Sequence, residues 1–307
     1  MSIRTAVILS ALLLAGFLVL RPVLGRLGAP GTPDVRGRSS VRPPVGVSIS
    51  PAAEDEPRPS ATPGPRGTSA DPAASPAASC SALAAVEKRV FDLTNEERRK
   101  AGLTPLSDEA TLHETALTQS GDMMARAFFD HINPDGLAPE DRVAVRHRRL
   151  IGLVGENIWR ASGFGKMPPD KLAHEIVTSW MKSPGHRENI LRPKFTHLGV
   201  GVCSRGDEVR ATQNFAQVLA YLDRPLPDTV ARGTALALAL TTVATPAHPA
   251  DAFDLWSSER GLAATARAAL VGGRADVDPG VYMLRIYFTQ SDPSRFAIVP
   301  GPQIEVK

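Results

Sequence analysis

Cysteine is nearly absent: the 307-residue chain has two, Cys80 and Cys203. Two thiols cannot build a four-cysteine zinc site or the disulfide framework of a small secreted module. In an oxidising compartment they can form one bridge; otherwise they are two separate buried thiols. Aromatic residues are also scarce, at 5%, and the formal charge of +3 is close to balance. A nucleic-acid binder needs a strongly basic face and, for single strands, rings on which bases stack, so nucleic acid is not expected as a partner. Two hydrolase signatures are missing as well. No G-x-S-x-G occurs, and "HEIVT" at 174–178 has Thr178 where a zincin motif carries its second histidine.

Long hydrophobic runs are rare, and the one at the start reads as an address. Arg4 precedes the uncharged stretch Thr5 to Leu20, which stops at Arg21 and Pro22. Its length lies between the core of a signal peptide and a spanning helix, for which about 17 to 25 residues are needed. Residues 1–25 are therefore expected to be a signal peptide or an N-terminal membrane anchor. The lack of an A-x-A cleavage site favours the anchor, although "VLG" at 23–25 offers small residues in tolerable positions. Either way the expected location is extracytoplasmic, secreted or held to the membrane by this segment. Residues 26–79 hold eleven prolines and no aromatic residue. Such a segment cannot bury enough apolar surface to offset the entropy of ordering, so a disordered linker is expected.

From Ser81 the pattern changes. Leu83, Val86, Val90 and Leu93 recur at helical spacing until Gly102. A second helix is expected from Asp108, with Leu112, Ala116, Met123 and Ala127 on one side, leaving His131 just beyond its end. A short helix is expected from Pro139, and another from about Pro168 carries Leu172, Ile176 and Trp180 as an apolar stripe. Period-two segments at 197–204 and 211–221 flank the turn "RGDE" and predict a hairpin. Helices followed by a hairpin imply an α+β domain over 80–224. Beyond Pro225, short strands at 234–244, 252–258, 280–288 and 296–307 predict a small all-β, immunoglobulin-like sandwich over 225–307, with the alanine-rich runs at 234–240 and 262–269 open to a helical reading.

Three stretches hold the residues best suited to chemistry: "DHINPDG" with His131, "GENIW" with Glu156, and "SWMKSPGHRENIL" with His186. Each polar group sits beside Gly or Pro at the edge of an element, where side chains can enter a shared cleft. Neutral imidazoles and a carboxylate suit a divalent ion such as zinc, or general acid–base work. Spacing alone leaves open the plainer reading of scattered hydrogen-bonding histidines, with His131 a helix cap. Asn157 and Asn189 are expected to brace backbone near the cleft. The cluster Arg142, Arg146, His147, Arg148 and Arg149 reads first as a solvated helix face, with docking to anionic lipid or wall polymer as the alternative.

Six ordered stretches, "LTNEERRKAGLTPL", "MMARAFFDHINPDG", "GENI", "SWMKSPGHRENIL", "FTHLGVGV" and "TQNFA", resemble the bacterial branch of the CAP superfamily, which unites cysteine-rich secretory proteins, antigen 5 and pathogenesis-related proteins and whose domain is also called SCP. The resemblance covers roughly Val86 to Tyr221. It implies a three-layer α-β-α sandwich with a surface cleft in which two histidines and two acidic residues can hold a divalent cation. By motif, His131 and His186 match the histidines and Glu156 the first acid. The position of the second acid is Ser183, and Glu175 and Glu188 are the nearby substitutes. The function implied is an exported or tethered CAP-domain protein whose cleft binds a small apolar or peptide ligand, lipid included, while a divalent cation such as zinc would be held by three ligands and water, with reduced affinity because Ser183 replaces the second acid. The alternative is a cell-envelope or peptide hydrolase using Glu156 with His131 or His186.

Overall fold

The structure is a computed structural model and describes residues 80–243, 249–257, 261–289 and 296–307. The expected leader or anchor at 1–25 and the linker at 26–79 lie outside the described residues. Among the described residues no helix is long and apolar enough to cross a membrane.

A two-residue strand, β1 (Ser81–Ala82), leads into α1 (Ala84–Lys100), whose Val86, Val90 and Leu93 are buried as the helical spacing predicts. Gly102, with φ +72°, reverses the chain into β2 (Ser107–Asp108) and α2 (Ala110–Ala125). The Glu109 carboxylate caps α2 by accepting from Leu112 N at 2.6 Å. Ala127 adopts a left-handed backbone, φ +54°, so α2 stops before Phe128. His131 consequently lies within a loop, not on a helix end. Next come α3 (Pro139–Arg146), β3 (Leu150–Ala161), α4 (Pro169–Lys182) and α5 (Pro184–Ile190), then β4 (His197–Arg205) and β5 (Glu208–Leu222). Proline opens α3, α4 and α5 at a position where its missing N–H costs nothing.

The sheet runs β1-β4-β5-β3, with β2 parallel to β4. Leu198, Val200 and Val202 of β4 and Val209, Ala211 and Phe215 of β5 share one core with Val90 of α1 and Ile176 and Trp180 of α4. Full burial of Leu198, Ile176 and Phe215 contributes about 1.5 to 3 kcal/mol each. On the opposite face Leu112 of α2 and Val143 of α3 pack against Ala216 and Val218. There β4 presents Gly199 and Gly201, where a Cβ would overlap the backbone of α2 at Leu112–His113 and Ala116–Leu117. Bare strand backbone thus lets α2 lie directly on the sheet. The result is a three-layer α-β-α sandwich: α1, α4 and α5 on one side, α2 and α3 on the other. Cys80 and Cys203 form a disulfide, Cα–Cα 5.8 Å, which fastens the entry of the domain to β4 beside the Ala82–Cys203 register pair.

The rest of the chain is all-β: β6 (Thr229–Val230), β7 (Leu240–Thr242), β8 (Ala250–Ser257), β9 (Leu262–Ala263), β10 (Ala268–Ala269), β11 (Gly280–Thr289) and β12 (Phe296–Val306). Five strands pair as β10-β8-β11-β12-β6, with β9 added on β8. The alanine-rich stretch at 262–269 forms short strands β9 and β10, not a helix. The expected strand at 234–244 shrinks to β7, which pairs with the end of β5 and so extends the first sheet. Its remainder faces 270–277 through irregular bonds such as Leu236 N to Gly273 O, 2.8 Å, and Ala275 N to Thr234 O, 2.8 Å. Leu236, Leu238, Ala275 and Val277 cover Phe253, Leu255, Leu284 and Ile286, so an irregular layer closes the core of the second sheet. That core also takes in Ile151 of β3 and Ala220 and Leu222 of β5. The two sheets therefore share buried residues.

Candidate functional site

The site grows from β3, the edge strand of the first sheet. Its open edge offers carbonyls that need donors once water is excluded. Trp180 Nε1 donates to Ile158 O at 3.1 Å and Asn189 Nδ2 to Glu156 O at 3.2 Å, so α4 and α5 cover this edge with side chains. Asn157 Nδ2 donates to His186 O at 3.1 Å and to Gln213 Oε1 at 3.1 Å; Asn189 Nδ2 also reaches Asn157 Oδ1 at 3.0 Å. Asn157 and Asn189 thus do what their amides suit them for: they seat α5, and with it His186, against β3. Gln213 extends the chain to Thr94 Oγ1 at 2.7 Å.

Glu156 projects from the opposite face of β3 and is only 2% exposed. Its Oε1 accepts from His131 Nδ1 at 2.9 Å and its Oε2 from Arg142 of α3 at 2.6 Å. With its amide oriented to suit both neighbours, Asn214 donates to Oε2 at 3.1 Å and accepts from Ala116 N at 3.1 Å. A buried carboxylate is tolerable only with such compensation. Arg142, 7% exposed, also donates to His131 O at 2.7 Å and to Leu137 O at 2.8 Å, fastening the loop that carries the imidazole. Asn133 Oδ1 accepts from Asp135 N and Leu137 N, Gln119 donates to Asp130 O, and Arg126 bridges Asp122 and Asp135. The loop is therefore pre-organised around His131.

An ionised carboxylate can only accept, so in this contact His131 Nδ1 is the donor. Burial, and secondarily the nearby His131, push the pKa of His186 below its ordinary value. Because the folded chain resists protonating His186 while the unfolded chain does not, the unfolded state binds more protons as pH falls from about 6.5 towards the lowered value. Stability present above that window is lost through it. The wild type minus His186→Gln difference in urea midpoint should accordingly shrink between pH 7.5 and pH 5; a difference independent of pH would contradict it.

Ser183 is half-buried at the corner between α4 and α5, where its N–H closes α4 and its carbonyl starts α5. Of the two nearby acids, Glu175 is exposed on α4 and Glu188 pairs with Arg192 at 2.6 Å. Among the described residues no group of three or more His, Cys, Asp or Glu is arranged to hold a metal ion. Both oxygens of Glu156 already face donors, one of them a guanidinium. The donor set does not fit a divalent cation.

Arg142, Gln213 and Asn214 were not singled out by sequence reasoning as site residues. The arginine-rich segment is a solvated face only in part: Arg146 and Arg149 are exposed, whereas Arg142 and His147 are buried, and Arg148 donates to Leu226 O and Pro227 O and Arg149 to Leu222 O at 2.6 Å. The available signal was position, since Arg142 adjoins Val143 and Ala144 on the inward side of α3.

Residues 91–218 match the profile of the cysteine-rich secretory protein family, CAP. That segment of the chain thus carries a CAP domain. It is 40% identical over 130 residues to the uncharacterized protein YkwD of Bacillus subtilis (strain 168), covering 41% of this chain and 46% of that protein. Over 129 residues it is 36% identical to the uncharacterized membrane protein YlbC of the same organism, covering 42% and 34%. The chain thus spans less than half the length of either relative. Among solved structures, an extracellular protein containing an SCP domain from Bacillus anthracis str. Ames is similar at 32% identity and TM-score 0.36, over 43% of this chain and 40% of that one.

Proposed function

We propose that this is an exported CAP-domain protein whose cleft binds a small apolar or peptide ligand, with the His131–Glu156 pair as the polar anchor. The observation that carries the reading is the setting of His131. Its ring is oriented through Nδ1 by a buried carboxylate, which leaves Nε2 as the outward polar edge of the ring, and its chain neighbours Phe129 and Ile132 are 36% and 54% exposed. Apolar side chains bordering one oriented imidazole edge make a surface that takes a greasy group beside a polar one. The Cys80–Cys203 bridge supports an oxidising, extracytoplasmic setting.

A nitrogen-edited NMR titration of the full chain with palmitate, and separately with a leucine-rich tetrapeptide, tests the reading. Shifts should gather at residues 129–133, 156 and 186 for one of the two ligands, and Ile132→Ser should weaken that ligand about tenfold, the worth of one buried aliphatic side chain. Shifts gathered elsewhere, or binding indifferent to Ile132, would refute it. A second reading, hydrolysis of a peptide or cell-envelope bond, draws support from the same 2.9 Å imidazole–carboxylate contact, which orients a ring as a general base towards water.

A further inference from the structure

The acceptors of Glu156 raise a separate question, about the charge of the cleft and not its ligand. A buried carboxylate in a site of this composition needs a positive partner, and a divalent ion held by further acids would be one solution. Here the partner is covalent. Arg142 sits 2.6 Å from Oε2, and its other terminal nitrogen is held by two carbonyls at 2.7 and 2.8 Å. The guanidinium cannot swing aside without breaking both of these bonds; Leu137 O would keep only the Asn133 N–H as a donor, at 3.1 Å. It also ties Glu156 to the loop bearing His131, as a cation bridging ligands from different elements would. α3 itself is braced from behind, because Ala144 packs on Trp256 and Met283 of the second sheet. The position that the family resemblance assigns to a second acid is Ser183, so nothing supplies the extra negative charge that a divalent ion would require beside an arginine.

We infer that Arg142 is a built-in cation: it takes the charge-balancing place of a metal in this cleft, and the site is closed to divalent ions while Arg142 is present. An arginine at this position and an acid at position 183 are then alternatives, and the sequence has chosen the arginine.

Calorimetric titration of the full chain with zinc sulfate at pH 7.5 tests this with four proteins: wild type, Ser183→Glu, Arg142→Met and the double variant. Wild type and Ser183→Glu should take up no zinc at the cleft. The double variant should bind one zinc per chain, and His131→Ala placed on the double variant should abolish that uptake. Should Arg142→Met leave the double variant too unstable to titrate, added zinc should raise its melting midpoint while leaving that of the wild type unchanged. One zinc per wild-type chain that His131→Ala removes would overturn the inference. So would Ser183→Glu binding as tightly as the double variant, or a folded double variant that gains nothing from zinc.

Discussion

Glu156→Ala is expected to destabilise the folded chain by about 3 to 5 kcal/mol, the usual consequence of removing one member of a buried ion pair. The carboxylate is the only acidic group within hydrogen-bonding distance of Arg142 among the contacts of the described residues, and both side chains are over nine-tenths buried. Its loss leaves a guanidinium facing a void, a released imidazole and an Asn214 amide with one partner fewer. Globular domains have about 5 to 15 kcal/mol in total, so the variant should sit near the limit of folding. Glu156→Leu combined with Arg142→Met should recover part of the loss, because replacing both charges leaves no orphan. Urea unfolding reads both numbers, provided the slope of the transition is unchanged. A single variant within about 0.5 kcal/mol of wild type, the range of ordinary surface changes, would mean that Glu156 is far more hydrated than its surroundings imply.

Arg98→Met should cost a similar amount, about 3 to 5 kcal/mol, by a different route. Arg98 lies in the last turn of α1, is 1% exposed, and donates to Thr104 O at 3.0 Å, Ile190 O at 2.8 Å, Arg192 O at 2.9 Å and Phe195 O at 3.3 Å. Methionine fills most of the stem volume but leaves four carbonyls without this donor. Ile190 O belongs to the last residue of α5 and Arg192 O lies just beyond it, so the helix carrying His186 and Asn189 should loosen first. Hydrogen exchange measured on the variant should show early loss of protection over residues 186–195, ahead of β4 and β5. Uniform loss across the sheet would argue that Arg98 supports the domain as a whole and has no special hold on α5.

These two arginines mark where reading the sequence runs out. α1 and α4 are legible because each has one wet face, and Val86, Val90 and Leu93 or Leu172, Ile176 and Trp180 mark the dry one. The hairpin of β4 and β5 is legible from alternation around a turn. β3 is not: apart from Leu153 it is buried on both faces from Leu150 to Trp159, so no alternation exists, and Gly152, Gly155, Glu156 and Asn157 look like loop residues. Its strand conformation comes from pairing with β5, a partner some sixty residues away. α5 hides behind Ser183, Pro184 and Gly185, which read as the end of one helix when Pro184 in fact begins another. The site is half legible for the same reason. His131, Glu156 and His186 stand out by residue type and by resemblance, whereas a charged residue such as Arg142 is by default assigned to solvent, and only packing shows that it points inward. The C-terminal strands were legible as strands, but β7 joins the sheet of the other domain, which no local pattern encodes.

One hydrogen bond, from His131 Nδ1 to the buried Glu156, holds the imidazole in the site. Long-range nitrogen–proton correlation spectra of the histidine rings report which nitrogen is protonated. His131 is expected to be held in the Nδ1–H form at pH 7.5, and Glu156→Gln, which keeps the shape and removes the charge, should shift it towards the tautomer common in solution. A His131 ring protonated on Nε2, with a spectrum indifferent to Glu156→Gln, would contradict it.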